Sequence, residues 1–267
     1  MTTALITGPT AGIGRAFATG LVSRGMDVVL VSRDADRLHA LAADLRLQSP
    51  RNDLQVEVLP ADLADRNQLL AVADRLQDPT RPIEVLVNNA GFGLTSRFTK
   101  SDAEDEQRLL DVLVTAVMRL SHAAVPGMVE RGHGLILNVS SVAGWITGST
   151  YSAAKSWVTV FTEGLAQDLA GTGVRAVAVC PGYVRTEFHD RAGMDVAAVP
   201  EWMWLDADDV VNKALRDAER GRVISVTGTQ YRVMATLLQH APRPLIRRAS
   251  SSRGRPTRSQ QAAPDSN

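Results

Sequence analysis

The chain has 267 residues, 45% apolar and 22% charged, and its lysines and arginines balance its acids to a formal net charge of zero. That length fits one large α/β domain or two small ones, and the balance offers no overall basic excess for nucleic acid. A single cysteine, Cys180, excludes an internal disulfide, which fits a reducing compartment.

The first predicted strand, "ALITG" (4–8), runs straight into "ITGPTAGIGRAF" (6–17), which opens a helix. Gly8, Gly12 and Gly14 have the spacing G-x-x-x-G-x-G. Glycine there lets the backbone turn sharply and approach a pyrophosphate, whose charge meets the N–H groups at the helix start. A second strand, "DVVLVSR" (27–33), ends on Ser32 and Arg33. An acid at this point binds the 2′-hydroxyl of NAD, whereas an arginine accommodates a 2′-phosphate. Asp34, one step later, reads as the N-cap of a helix over 35–48. The predicted cofactor is therefore NADP(H), with Arg33 and Arg15 pairing the phosphate; the competing reading of Arg33 is a solvated charge.

Further strands are predicted at 54–63, 84–91, 134–141, 174–182 and 222–228, most of them apolar without alternation. Strands buried on both faces have that pattern. Helical periods lie between them, over 66–77 behind Asp65, from Ser101 or Asp102 to 131, and over 207–220. Strand alternating with helix implies a parallel sheet wound on both sides by right-handed crossovers. One domain over 1–240 is expected, followed by a basic, flexible tail over 241–267 that is rich in Pro, Ser and Arg. The stretch "YRVMATLLQHAPRPLIRR" before and into that tail reads as a last helix packed on the domain, with lipid contact as the alternative. No apolar run is read as reaching the ~20 residues that span a bilayer. With no signal-peptide pattern in "MTTALITG", a cytoplasmic location is expected.

In "STYSAAKSW" (149–157), Tyr151 and Lys155 stand one helical turn apart and share a face. A phenol beside an ammonium is either a structural pair or a tuned acid. His39, His122, His133, His189, His240 and Cys180 form no metal-spaced set with the acids, so no metal is expected. Cys180, in an apolar strand, reads as packing.

Together "TGPTAGIG" (7–14), "NNAG" (88–91) and "YSAAK" (151–155) resemble the short-chain dehydrogenase/reductase family, supported by "DL" at 62–63, "NVSS" at 138–141 and "PGYVRT" at 181–186. The resemblance covers about residues 3–230. It implies a Rossmann-like, doubly wound, seven-stranded parallel sheet in three α/β/α layers. It implies Tyr151 as catalytic acid/base, Lys155 as its partner and a ribose ligand, and Ser141 as the group orienting the substrate carbonyl, with Ser140 as competitor. Asp62 would bond the adenine, and Asn89, Ala90 and Gly91 would line the adenosine ribose and support the sheet. Pro181, Gly182 and Thr186 would face the nicotinamide. Thr10, Ile13, Arg15, Ser32, Leu63 and Val184 would complete the cofactor site. The charge on Lys155 and on the nicotinamide would draw the Tyr151 pKa down from about 10.

The sequence departs from the family in two places. Where the family has an asparagine that holds a water linking the lysine to solvent, the alignment places Leu113, unless it is one turn out of register. Thr115 is a substitute relay. The segment between Ser141 and Tyr151 is also shorter than usual in the family. The substrate loop is placed at about 187–210, where Phe188, Met194, Val196, Trp202, Met203 and Trp204 either cover a hydrophobic carbonyl compound or anchor the loop. His189 reads as surface. The expected function is hydride transfer between NADP(H) and a moderately hydrophobic ketone, aldehyde or secondary alcohol. A cofactor-binding sensor or scaffold with a degenerate site is the alternative. A homodimer or homotetramer through 102–131 and 150–171 is implied by the resemblance.

Overall fold

The computed structural model describes residues 2–94, 96–192, 196–197 and 199–251. Seven parallel strands form one sheet in the order β3-β2-β1-β4-β5-β6-β7. They are β1 (Thr3–Thr7), β2 (Asp27–Ser32), β3 (Val56–Pro60), β4 (Val85–Asn88), β5 (Gly134–Val139), β6 (Val174–Val179) and β7 (Ile224–Ser225). Six lie inside their predicted runs and β1 begins one residue before its run of 4–8; the runs extend past the strand ends into the loops. The helices are α1 (Gly12–Val22), α2 (Ala35–Gln48), α3 (Arg66–Gln77), α4 (Ala103–Leu110), α5 (Ala116–Arg131), α6 (Thr150–Asp168), the short α7 (Phe188–Arg191), α8 (Ala207–Glu219), α9 (Thr229–His240) and α10 (Arg243–Ser251).

Side chains alternate across the sheet, so each strand feeds two cores. Ile6, Leu30, Val87, Leu137 and Val179 point to the face covered by α1, α2, α8 and α9. Leu5, Val29, Leu86, Ile136 and Ala176 point to the face covered by α3 and α5, with Leu165 and Ala166 of α6. Burial on both faces is why the strands read as continuous apolar runs.

Local signals place the helix starts. Asp34 accepts from the Arg37 amide at 3.0 Å. Asp65 accepts from the Asn67 and Gln68 amides at 2.9 Å each, and Asp102 from the Glu104 amide at 2.9 Å. Each carboxylate satisfies an amide that the helix leaves without a carbonyl partner.

Between α4 and α5 the helix passes through a π-turn, Asp111–Thr115. Taken together, Ala103–Arg131 is 29 residues long with a mean hydropathy of 1.5 over its most apolar window, half of which is buried inside the protein. By length and composition alone this helix is long and apolar enough to cross a membrane, a test that a buried core helix also meets. Its burial comes from packing against α3 and the sheet.

The C-terminal expectation is corrected. Instead of one last helix there are two, broken at Ala241 and Pro242, and the second continues to Ser251 inside the segment read as flexible. Ile246 of α10 is buried, in keeping with the reading of the stretch up to Arg248 as packed on the domain. Residues 252–267 lie outside the described structure.

Candidate active site

The sheet reverses its winding between β1 and β4, and the loops after β1, β4, β5 and β6 meet at the carboxyl ends of the strands. A crevice at such a switch point is where open α/β sheets bind ligands. The glycine loop, "NNAG", "NVSS" and "PGYVRT" lie at these loops and "YSAAK" on α6, while Ser32 and Arg33 lie at the end of β2 and "DL" (62–63) follows β3.

The glycine loop is built by close approach. Gly8 and Gly12 adopt φ of +65° and +53°, in the region that favours glycine. A Cβ on Gly14 would lie 2.2 Å from the Gly8 carbonyl oxygen and 2.4 Å from Asn89 Nδ2, and one on Gly12 would lie 2.8 Å from Thr186 Cγ2. The residue before α1 is Ala11, and no side chain caps the helix, so its first amides remain available to an anion. A glycine cradle against an uncapped helix start fits a dinucleotide pyrophosphate. Ile13 packs on the core at its base.

Asn89 braces this loop. Its Nδ2 donates to the Thr7 and Gly8 carbonyls at 3.0 Å each, and the Thr7 hydroxyl accepts from the Asn89 and Ala90 amides, also at 3.0 Å. Asn88, given no role in the motif reading, adds support to the sheet. Its Nδ2 donates to Ser121 and Asn138, and Asn138 donates in turn to Thr162 of α6, tying β4, β5 and both helices through buried amides.

At the end of β2, Arg33 is exposed and Ser32 half-buried. Arg15 forms an ion pair with Asp44 of α2 at 3.0 Å, both side chains about half exposed. Asp62 pairs with Arg108 of α4 and accepts from the Ala64 amide. Partial burial works to raise its carboxyl, but these contacts outweigh it and hold the group below the usual carboxylate range. Leu63 beside it is buried under α3.

On α6, Ser149 caps the start by accepting from the Ser152 amide, and Tyr151 and Lys155 fall one turn apart. Lys155 is buried, with Nζ donating to the Val139 carbonyl at 2.7 Å and lying 5.7 Å from the centre of the Tyr151 ring. Burial lowers its pKa to about 8, Cys180 acting in the opposite direction. Burial pushes the Tyr151 phenol up to about 12, against a hydrogen bond with Ser141 that lowers it. Within the protein alone, removal of water therefore sets the direction of the Tyr151 shift; the expected downward pull rests on Lys155 together with the charge of a bound nicotinamide.

The two serines separate cleanly. The Ser140 hydroxyl is buried, donating to the Lys155 carbonyl at 2.7 Å beside Thr159. Ser141 is the one that meets Tyr151, while its hydroxyl also accepts from the Ala143 amide at 3.1 Å.

Leu113 is fully buried in the π-turn. A Cβ on Gly91 would lie 3.6 Å from Leu113 Cδ1 and 3.7 Å from Lys155 Nζ. The aligned position is therefore in register, and it presents a methyl group where a polar group would serve a relay.

After β6, the Pro181 carbonyl accepts from the Val142 amide at 3.0 Å. Gly182 faces Tyr231 of α9 so closely that a Cβ would enter its ring, 2.0 Å from Cζ. The Tyr231 hydroxyl donates to the Met203 carbonyl at 2.6 Å and accepts from the Tyr183 amide at 3.0 Å. Sequence reasoning missed Tyr231; its isolated place in a helix carries no motif. Val184 bridges to Leu205, and Thr186 Oγ1 accepts from the Phe188 amide at 3.3 Å.

Phe188 sits 5.8 Å, centre to centre, from the Tyr151 ring, and a Cβ on Gly93 would touch Ala192 and Phe188. Of the residues read as cover or anchor, Phe188 packs at Tyr151. Met203 and Trp204 anchor, Trp204 packing on Tyr183 and His189, whereas Trp202 is exposed. His189 is buried among Tyr183, Phe188 and Trp204, correcting its surface reading. Met194 lies outside the described residues.

Residues 2–196 match the family model for the short chain dehydrogenases. The chain belongs to the short-chain dehydrogenase family. Among curated short-chain dehydrogenase relatives, it is 39% identical over 200 residues to sulfoacetaldehyde reductase 2 of Chromohalobacter salexigens, covering 73% of this chain and 77% of the relative. A short-chain dehydrogenase from Sphingobium yanoikuyae, solved in complex with NADPH, superposes with a TM-score of 0.82 at 36% identity, over 98% of this chain and 99% of the other. Another from Burkholderia phymatum, solved with NAD, gives 0.76 at 27% identity, over 90% and 96% of the two chains. As a short-chain dehydrogenase, the protein is an oxidoreductase of the carbonyl–alcohol pair that uses a nicotinamide cofactor.

Proposed function

We propose that this short-chain dehydrogenase is an NADP(H)-dependent reductase of a moderately hydrophobic ketone or aldehyde, or oxidises the corresponding secondary alcohol. The observation that carries the reading is the grouping of Tyr151 with buried Lys155 one turn along α6, its Nζ 5.7 Å from the ring centre. Ser141 stands beside the phenol, and the Phe188 ring lies 5.8 Å away. The choice of NADP(H) over NAD(H) is supported by Arg33 at the end of β2, where no acid stands.

The nicotinamide, when bound, donates or accepts the hydride. In the direction of reduction, Ser141 holds the carbonyl oxygen by donating its hydroxyl proton in a hydrogen bond. Tyr151, kept protonated by burial, gives its Oη proton to the same oxygen as negative charge grows there. Lys155, held by the Val139 carbonyl, sets a positive charge beside the phenolate that forms. Gly8, Gly12 and Gly14 hold the pyrophosphate; Asn89 acts on it through the loop; Pro181, Gly182 and Thr186 wall the nicotinamide side. Phe188 and Phe92 line the substrate side, which favours an apolar substituent on the carbonyl compound.

The exposed faces of α5 and α6 support self-association. Trp157 stacks on Phe161, with ring centres 4.7 Å apart, next to an exposed Val160. Met118 and Val129 add exposed apolar area on α5.

Oxidation of NADPH over a panel of ketones and aldehydes of increasing apolar bulk tests the reading, with Tyr151→Phe alongside. Turnover with NADPH that falls at least about 100-fold in the variant is expected. NADPH binding without turnover across the panel would favour the sensor reading, for which Leu113 is the structural motive.

A further inference from the structure

Arg37 stands in the first turn of α2, four residues beyond Arg33, and reaches across the mouth of the cleft. Its Nη2 donates to the Thr10 carbonyl of the glycine loop at 3.1 Å, and to the two carboxylate oxygens of Glu187 at 3.3 and 3.4 Å. One guanidinium thus joins the loop shaped for phosphate, the helix that starts behind Arg33, and the segment leading from Thr186 into α7 over Tyr151. No motif singled out Arg37.

The contact with Glu187 is of a kind that exchanges readily. Both oxygens lie at the long end of hydrogen-bond distance, and the two side chains are 40% and 54% exposed, so water and salt screen the pair. A phosphate monoester near neutral pH carries close to two negative charges and three acceptor oxygens, which suit the planar fork of a guanidinium better than one distant carboxylate does. Arg15, the other cation expected at the phosphate, is paired with Asp44. Arg37 is the cation next to Arg33 that already touches the glycine loop.

We propose that Arg37 is a second cation for the 2′-phosphate of NADP(H), and that Glu187 holds it until the phosphate takes it over. The proposal rests on the NADP(H) reading above. When the guanidinium turns to the phosphate, the Glu187 carboxylate loses this partner, and Glu187 lies in the chain between Thr186 and Phe188. Loading of the phosphate at one end of the cleft thereby loosens the segment that covers Tyr151 at the other. The carboxylate also opposes the phosphate for the same donor, so its removal strengthens phosphate binding.

The test uses 2′,5′-ADP, which carries the phosphate but no nicotinamide to touch the segment directly, with 5′-ADP as control. Calorimetry on the full chain reads affinity, and hydrogen exchange over 186–192 reads the coupling. Wild type should bind 2′,5′-ADP at least about tenfold more tightly than 5′-ADP. Arg37→Ala should lose about tenfold for 2′,5′-ADP and less than about twofold for 5′-ADP, while Glu187→Gln should gain about two- to threefold for 2′,5′-ADP alone. Exchange over 186–192 should rise with 2′,5′-ADP but not 5′-ADP in wild type, and start high in Glu187→Gln.

Equal losses for both nucleotides in Arg37→Ala would make the residue a brace of the glycine loop and overturn the proposal. So would exchange over 186–192 that ignores 2′,5′-ADP. Discrimination that survives Arg37→Ala and vanishes in Arg33→Ala would overturn it and leave the NADP(H) reading standing. A wild-type protein that does not distinguish the two nucleotides would overturn both.

Discussion

Lys155 holds its Nζ 2.7 Å from the Val139 carbonyl, on the same face of α6 as Tyr151 and 5.7 Å from the centre of its ring. The strand β5 thus fixes the ammonium, and α6 fixes the phenol relative to it. Burial acts on the two in opposite senses, since it disfavours whichever form is charged. Lys155 is lowered to about 8 and Tyr151 raised to about 12.

A pH dependence follows with a definite sign. Tyr151 keeps its proton throughout the neutral range, so the limb above neutrality belongs to Lys155, which loses its charge as pH rises through about 8. In the direction of reduction, kcat/KM for the reduced cofactor should be flat below that point and fall up to about tenfold per unit above it. Lys155→Met should lower the rate and abolish the break. Stability carries a matching sign: unfolded tyrosine ionises near 10 and folded Tyr151 near 12, so this proton's contribution is lost as pH climbs through that interval. Wild type should therefore lose up to about 3 kcal/mol relative to Tyr151→Phe across it, measured by denaturant unfolding.

Leu113 brings a methyl group to Gly91, next to Lys155 Nζ. Replacing it with asparagine supplies a polar group in nearly the same volume. Leu113→Asn should cost about 1–3 kcal/mol of stability, because an amide enters an apolar cluster of Leu109, Val112 and Ala154. It should also raise kcat severalfold and shrink the solvent isotope effect. An unchanged isotope effect would mean that protons reach Lys155 by a path that avoids the π-turn.

Two glycines separate conformational need from tolerance. Gly14→Ala forces a Cβ to 2.2 Å from the Gly8 carbonyl, so cofactor binding by fluorescence titration should be lost, with a large drop in Tm. Gly164→Ala, exposed inside α6 with nothing within 4 Å, should stabilise by about 0.5–1 kcal/mol without touching binding.

Phe188 closes the substrate side of Tyr151. Phe188→Ala should shift selectivity toward bulkier carbonyl compounds, raising kcat/KM for a phenyl ketone over a methyl ketone by about tenfold, near the 1–3 kcal/mol range of a hydrophobic pocket contact. Equal effects on both substrates would place the ring outside the pocket.

The sequence by itself determined the sheet, the helix starts and the positions of the site motifs, because these depend on local or short-range rules. Apolar runs without alternation follow from burial on both faces. Asp34, Asp65 and Asp102 cap helices through their own neighbours. Tyr151 and Lys155 meet because a helix turns in four residues. What only the tertiary structure decided involves partners far apart in the chain. Tyr231 fills the space that Gly182, far before it in the chain, leaves open. Arg15 is claimed by Asp44 and Asp62 by Arg108. Arg37 bridges Thr10 and Glu187, which lies 150 positions away. The direction of the Tyr151 shift belongs with these, since burial is set by the whole fold and outweighs the hydrogen bond with Ser141.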